Sequence, residues 1–351
     1  MRFKINDKII GPNYKTHIVA ELSGNHNGNL KQLIKLIDIA KQTGADSIKI
    51  QLYNPDTITV NSNNPDFQIS KNNKWYKYKN LYNLYKNAAT PLIWADDIFD
   101  YCQKKKINLF TSVFDLDSLK ILKKKGCPAY KIASNEITDI PLIDAVSKTK
   151  KPIILSTGMG EKKDLDLAVR LIKKNKNNKL AILKCSSSYP TPFDEINLKT
   201  MIDIKKRYNC IIGLSDHSPG YLAPIAATVL GASIIEKHIV KDKKTKTVDS
   251  FFSMSPKEFK TMIEKIRLIE STLGKVEYNV TKSVKENFKG RRSLYVIKKI
   301  KKGNKFTKNN IKSIRPGYGL HPRYYWDVLG KKSTENLNIG DRLKWSSVEK
   351  K

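Results

Sequence analysis

A chain of 351 residues, 40% of them hydrophobic, can bury one large core and one small domain, which excludes a wholly disordered protein. Its formal charge of +33 is scattered over short lysine groups among asparagines, a pattern of solvated helix faces rather than a nucleic-acid partner's stripe. No apolar run approaches the ~20 residues of a membrane span, and residues 1–11 lack the apolar core of a secretory signal, so a cytoplasmic location with no membrane partner is expected.

Short β-branched runs recur with helical stretches between them. Candidate strands fall at residues 18–22, 47–52, 108–114, 130–134, 152–157, 180–185, 211–217 and 233–238. Eight β/α units predict an α/β fold, a closed (β/α)8 TIM barrel over residues 1–275. His26 follows the first strand, in a loop where it would touch substrate. Leu30, Leu33, Ile34 and Ile37 then share a helical face, as do Leu165, Ala168, Val169 and Ile172 further on. Residues 53–90 are too long for an ordinary βα loop and are expected over the catalytic mouth. The last barrel helix opens at Ser255-Pro256-Lys257-Glu258, a capping box, and buries Phe259, Met262, Ile263 and Ile266. Gly44, Gly126 and Gly231 stand just ahead of strands, at helix C-caps. After a linker at 276–289, short strands and turns at 292–297, 311–316 and 337–343 predict a small β-rich domain over 290–351. Cys102, Cys127, Cys185 and Cys210 form no Cys-x-x-Cys pair and read as small buried hydrophobes.

Alternation along a barrel strand sorts inward from outward residues. In the second strand Ile48, Ile50 and Leu52 face the helices, so Lys49 and Gln51 point inward; in the fourth, Lys131 does. A buried lysine needs a negative charge, which leaves two readings: a phosphate or carboxylate ligand, or an internal ion pair with Glu21 or Glu136. Hydroxyls gather where strands end, at Ser134, Ser156, Ser187 and Ser215, in turns suited to an anion. His217 and His238 end adjacent strands, which lie ~4.8 Å apart. They would share a divalent metal such as Mn2+ or Mg2+, or else serve as structural or general-base histidines.

The segment Ala20-Glu21-Leu22-Ser23-Gly24-Asn25-His26-Asn27-Gly28 resembles the opening motif of the sialic acid synthase family. Later motifs of that family follow in order: Lys131-Ile132-Ala133-Ser134, Leu155-Ser156-Thr157-Gly158-Met159, Gly213-Leu214-Ser215-Asp216-His217 and Glu236-Lys237-His238. Arg292-Ser293-Leu294-Tyr295 and Ile314-Arg315-Pro316-Gly317 resemble its C-terminal antifreeze-like (SAF) domain. Leu81-Tyr82-Asn83-Leu84-Tyr85, Ile137-Thr138-Asp139-Ile140-Pro141 and Lys184-Cys185-Ser186-Ser187-Ser188-Tyr189-Pro190 are similar to the branch that makes pseudaminic acid.

The resemblance implies a transferase that condenses phosphoenolpyruvate (PEP) with an amino-sugar aldehyde. The sugar expected for this branch is 2,4-diacetamido-2,4,6-trideoxy-L-altrose; the alternatives are the sugars of sialic or legionaminic acid. It implies that Lys49, Lys131, Ser134, Ser156 and Ser215 hold PEP, and that His217 and His238 hold Mn2+, Mg2+ or Co2+. Glu136 would steady a cation or activate water, and Glu21 and Asp249 would hold sugar hydroxyls. Gln51, Ser187 and Tyr189 would also line the substrates, Ser187 replacing an asparagine of other branches. The implied assembly is a homodimer in which each C-terminal domain covers the partner's barrel and carries Arg315 to the sugar amide. A Schiff-base aldolase using Lys131 is the rival enzyme reading, and a basic nucleic-acid-binding protein the rival outside enzymes.

Overall fold

The computed structural model describes residues 1–287 and 290–350. The chain divides into two compact units, Met1–Gly274 and Lys275–Lys351. Residues 288 and 289 of the expected linker, and residue 351, lie outside the described residues. The described part of that linker holds a one-turn helix, Lys282–Lys285.

The first unit opens with an antiparallel hairpin of β1 (Phe3–Ile5) and β2 (Lys8–Ile10), which the strand pattern did not include. Three-residue strands carry too little alternation to stand out in a sequence. Phe3, Ile5 and Ile10 join the barrel core, and Asn6 Nδ2 donates to Asn108 Oδ1 at 3.0 Å, beside the start of a barrel strand. The hairpin therefore packs at the amino end of the barrel.

All eight expected barrel strands form: β3 (His17–Glu21), β4 (Ser47–Gln51), β5 (Leu109–Ser112), β6 (Tyr130–Ile132), β7 (Ile153–Ser156), β8 (Leu180–Cys185), β9 (Ile211–Asp216) and β10 (Ile234–His238). They close in sequence order, β10 pairing with β3, and every pairing is parallel. Several end one or two residues earlier than the sequence pattern does. Residue 134, for example, leaves the sheet to start the tight turn Ser134–Thr138. Those early exits free strand-end side chains for the mouth.

The helices are α1 (Leu30–Gln42), α2 (Leu81–Ala88), α3 (Ala95–Lys104), α4 (Leu116–Lys124), α5 (Ile140–Lys148), α6 (Lys162–Lys174), α7 (Lys199–Tyr208), α8 (Leu222–Val229) and α9 (Pro256–Leu273). Helix α6 buries Leu165, Ala168, Val169 and Ile172, and α9 buries Phe259, Met262, Ile263 and Ile266, the expected faces. Helix α1 is rotated slightly: Leu33, Leu36, Ile37 and Ala40 are buried, while Leu30 and Ile34 are only partly covered. Each fully buried Leu or Ile adds ~1.5–3 kcal/mol of transfer free energy. The capping box forms, Glu258 Oε2 accepting from Ser255 N at 2.8 Å. Gly44, after α1, has φ 92°, a helix-ending conformation that a side chain would strain.

The insertion after β4 is built from three short turns, Pro55–Thr57, Pro65–Phe67 and Tyr76–Tyr78, followed by α2. Its asparagines hold these pieces in shape, since Asn54, Asn64 and Asn80 each cap the element that follows.

In the second unit β11 (Ser293–Val296) pairs antiparallel with β12 (Ile311–Ile314) over a core of Leu294, Val296, Ile300, Phe306, Ile311, Val328, Leu337 and Leu343. The expected strand at 337–343 makes only isolated bridges, Ile300 with Leu337 and Tyr295 with Arg342. Among the described residues, no helix is long and apolar enough to cross a membrane.

Candidate active site

Register brings the chemistry to one level. Glu21, the last residue of β3, lies opposite Lys49 of β4 on one side and His238 of β10 on the other. Ser215 of β9 lies opposite Glu236 and Cys185. Above them the carboxyl-end loops and the insertion enclose a pocket of about 210 Å3.

The two inward lysines behave differently. Lys49 forms a buried ion pair with Glu21, lies 3.6 Å from Glu236, and donates to Ser112 Oγ at 3.0 Å. Burial alone would lower its pKa, but the two carboxylates outweigh burial and hold the ammonium charged. The internal ion pair is therefore the structure's answer for Lys49. Lys131, equally buried, has no carboxylate in ion-pair distance among the described residues. Its Nζ donates to Ser156 Oγ at 2.6 Å and to the Ile132 carbonyl at 3.2 Å, and burial pushes its pKa down. A buried cation held by neutral acceptors invites an anionic guest.

Around Lys131 lie hydroxyls. Ser134 and Ser187 Oγ atoms are 2.7 Å apart. A Cβ on Gly158 would collide with both serines, so glycine there keeps the hydroxyl pair. Ser215 Oγ donates to Glu236 Oε1 at 3.0 Å.

The histidine rings stand side by side, centroids 5.2 Å apart and planes inclined by 61°. His217 Nδ1 donates to the Ser186 carbonyl at 3.0 Å, so in the neutral ring Nε2 is the nitrogen that offers a lone pair; burial works against the imidazolium, but Cys185 and this hydrogen bond outweigh it and raise the pKa. His238 Nδ1 is buried with no hydrogen-bond partner, and burial holds this imidazole's pKa well below the usual value. Two imidazoles with free lone pairs fit a divalent ion. Among the described residues no cluster of three or more His, Cys, Asp or Glu forms a ligand set, so further ligands would be water or substrate oxygens.

Three carboxyls complete the site. Glu136, at the wall, has Oε2 unpaired and its pKa pushed up to about 7 by burial. Asp249, likewise raised to about 7 by burial, accepts from Ser23 Oγ. Glu21 is beneath the pocket rather than on its lining: it pairs with Lys49 and accepts from Ser23 N at 2.7 Å. Gln51 and Tyr189 line the pocket, Tyr189 lying 4.4 Å from the His217 ring. Arg315 belongs to the second unit, exposed one residue past β12.

Some expectations need correcting. His26 does not reach the pocket lining: it is fully buried against Trp94, at 5.6 Å, and Thr90 Oγ1, at 3.3 Å. Cys185 is buried as expected but lines the pocket, its Sγ 4.0 Å from His217 Nδ1. Glu236 had no role in the sequence reading, although its place two residues before His238 gives it the same inward phase. Trp75, Tyr53 and Phe252 also line the pocket, and no period-based signal marks them.

The model of the NeuB family matches residues 36–278, and the SAF domain matches residues 291–349. The pseudaminic acid synthase of Campylobacter jejuni subsp. jejuni serotype O:2 is 44% identical over 330 residues, 94% of this chain and 96% of that protein. An N,N'-diacetyllegionaminic acid synthase of the same organism is 34% identical, covering 94% and 99% respectively. Among solved structures, an N-acetylneuraminic acid synthetase from Leptospira borgpetersenii serovar Hardjo-bovis superposes with a TM-score of 0.71 at 31% identity, covering 82% of this chain and 95% of that one. With a barrel, a mouth of imidazoles and serines, and relatives matched nearly end to end, the chain belongs to the NeuB family and ends in a SAF domain.

Proposed function

We propose that this enzyme condenses PEP with 2,4-diacetamido-2,4,6-trideoxy-L-altrose, giving pseudaminic acid and inorganic phosphate. The observation that carries the reading is Lys131, a buried cation with no carboxylate in ion-pair distance among the described residues, in the same pocket as the adjacent imidazoles of His217 and His238. The higher identity to the pseudaminic than to the legionaminic acid synthase favours this sugar.

In this reading Lys131, Ser134, Ser156 and Ser187 hold the PEP anion, and Lys49 keeps Glu21 and Glu236 in place. His217 and His238 would hold a divalent ion, Mn2+, Mg2+ or Co2+, which supplies Lewis-acid polarisation of the sugar aldehyde when bound. Holding both substrates in one pocket supplies proximity. PEP C3 forms the new bond to the aldehyde carbon, leaving positive charge at C2. Glu136 faces that charge and takes a proton from the water that adds there. The resulting C2 hydroxyl gives up the water's second proton as the C–O bond to phosphate breaks and the ketone forms; of the two protons, one goes to the alkoxide left from the aldehyde and the other leaves with phosphate. A pKa near 7 suits a group that both takes and returns a proton. Asp249 would orient sugar hydroxyls.

A homodimer in which the second unit covers a partner's mouth would bring Arg315 to the sugar amide; the exposed position of Arg315 on its unit supports this. PEP is an intracellular metabolite, which fits a cytoplasmic enzyme.

The test is turnover with PEP against three amino sugars, those of pseudaminic, legionaminic and sialic acid. The first should be preferred, bridging oxygen-18 of PEP should leave with phosphate, and chelator or His217→Ala should abolish turnover. Retained label in the keto acid, or full activity in chelator, would refute the mechanism.

A further inference from the structure

Charges, hydroxyls and imidazoles serve the bond-making step, but an indole serves none of it. Trp75 comes from the insertion, not from the barrel, yet it lines the pocket. Its Nε1 donates to the Val248 carbonyl at 2.9 Å, which ties the insertion to the loop after β10. With its one polar atom turned to Val248 and beside Asp249, the rest of the ring presents an apolar face to the pocket.

The rings form two ranks. Tyr189 lies 4.4 Å from His217, and Phe252 lies 4.7 Å from His238. Trp75 stands behind them, 5.3 Å from Tyr189 and 6.4 Å from Phe252. On the proposed function, on which this inference rests, the aldehyde carbon sits at the imidazoles. A side chain one ring further away meets the far end of the sugar. There the diacetamido trideoxy sugar carries a C6 methyl and an acetamido methyl, where N-acetylmannosamine carries hydroxyls. An apolar wall accepts methyls and strips water from hydroxyls without replacing their hydrogen bonds.

We propose that Trp75 is a specificity-determining residue, whose indole selects the 6-deoxy, 4-acetamido end of the sugar. One methyl in an apolar pocket is worth ~10-fold or more in kcat/KM. Trp75→Ala should therefore cut the preference for the diacetamido trideoxy sugar over N-acetylmannosamine by at least about tenfold. The change should appear in the sugar KM, with the PEP KM unmoved. The 2,4-diacetamido-2,4,6-trideoxy sugar of the legionaminic series should lose in parallel, since it carries the same methyls. Should Trp75→Ala fail to fold, Trp75→His keeps a ring but makes the wall polar, and should show the same loss. An unchanged preference in a folded variant overturns the assignment while leaving the synthase reading intact. Wild-type protein that turns over none of these sugars sinks both.

Discussion

Lys49 and Lys131 sit at the same depth, but only Lys49 has carboxylates within ion-pair distance. Removing the Lys49 ammonium strands Glu21 and Glu236 in the interior, so Lys49→Met should destabilise the fold by ~3–5 kcal/mol in chemical denaturation. Lys131→Met removes a charge that burial already disfavours. It should leave the melting temperature unchanged or raised while increasing the PEP KM at least about tenfold, the usual opposition of stability and function. Similar melting losses in both variants would contradict the difference. Glu136 gives a pH signature. Its pKa is about 7, above the ordinary carboxylate value, so the ionised base needed for turnover accumulates as pH rises through 7. The rate should climb over that window, and Glu136→Gln should lose both the climb and most turnover. The folded state binds this proton more tightly than the unfolded chain, so its stabilising effect is fully present below about pH 4.5 and is lost as pH rises through 7. Glu136→Gln should therefore gain up to roughly 3 kcal/mol over wild type at pH 8, taking ~1.4 kcal/mol per pKa unit. Equal stability of the two at pH 8 would count against a buried Glu136. Inward phase placed both lysines and Glu236 inside the barrel, and Glu21 was among the carboxylates the sequence offered as an internal partner; which lysine each carboxylate reaches was not legible, because it depends on the register between strands far apart in sequence.

At the scale of elements, the insertion and the first βα loop meet at Gly24. A Cβ there would lie 2.9 Å from Ala88 Cα and 3.0 Å from Val248 Cβ, so only glycine lets α2 settle beside the loop that receives Trp75. Gly24→Ala should cost ~1–3 kcal/mol, the usual penalty of overpacking, and raise the sugar KM more than the PEP KM. Thermal melts and steady-state kinetics check both halves; a normal melt with normal sugar use would mean the contact is slack. The strands were legible because eight β-branched runs at regular spacing leave little freedom, and α6 and α9 because their apolar faces repeat cleanly. The interior of the insertion was not. It is a string of asparagine-capped turns with no period of its own, and the position of Trp75 follows from one hydrogen bond to a residue 173 positions away.

For the whole molecule, each unit has its own core, so the barrel should survive loss of its companion. A chain lacking residues 290–351 should still melt cooperatively and bind PEP, yet lose efficient sugar use if a partner's SAF domain supplies Arg315. Normal kinetics in the truncated chain would remove that domain from the reaction. The division into a parallel barrel and a β-rich appendix was readable from the change in pattern; the hairpin at the start of the chain was not. That hairpin carries a practical corollary. Because β1 and β2 pack at the amino end of the barrel, the opposite pole from the pocket, an affinity handle or surface tether fused ahead of Met1 holds the barrel by the end away from its mouth. Immobilised in that orientation, the enzyme should accept soluble substrates as freely as it does in the tube.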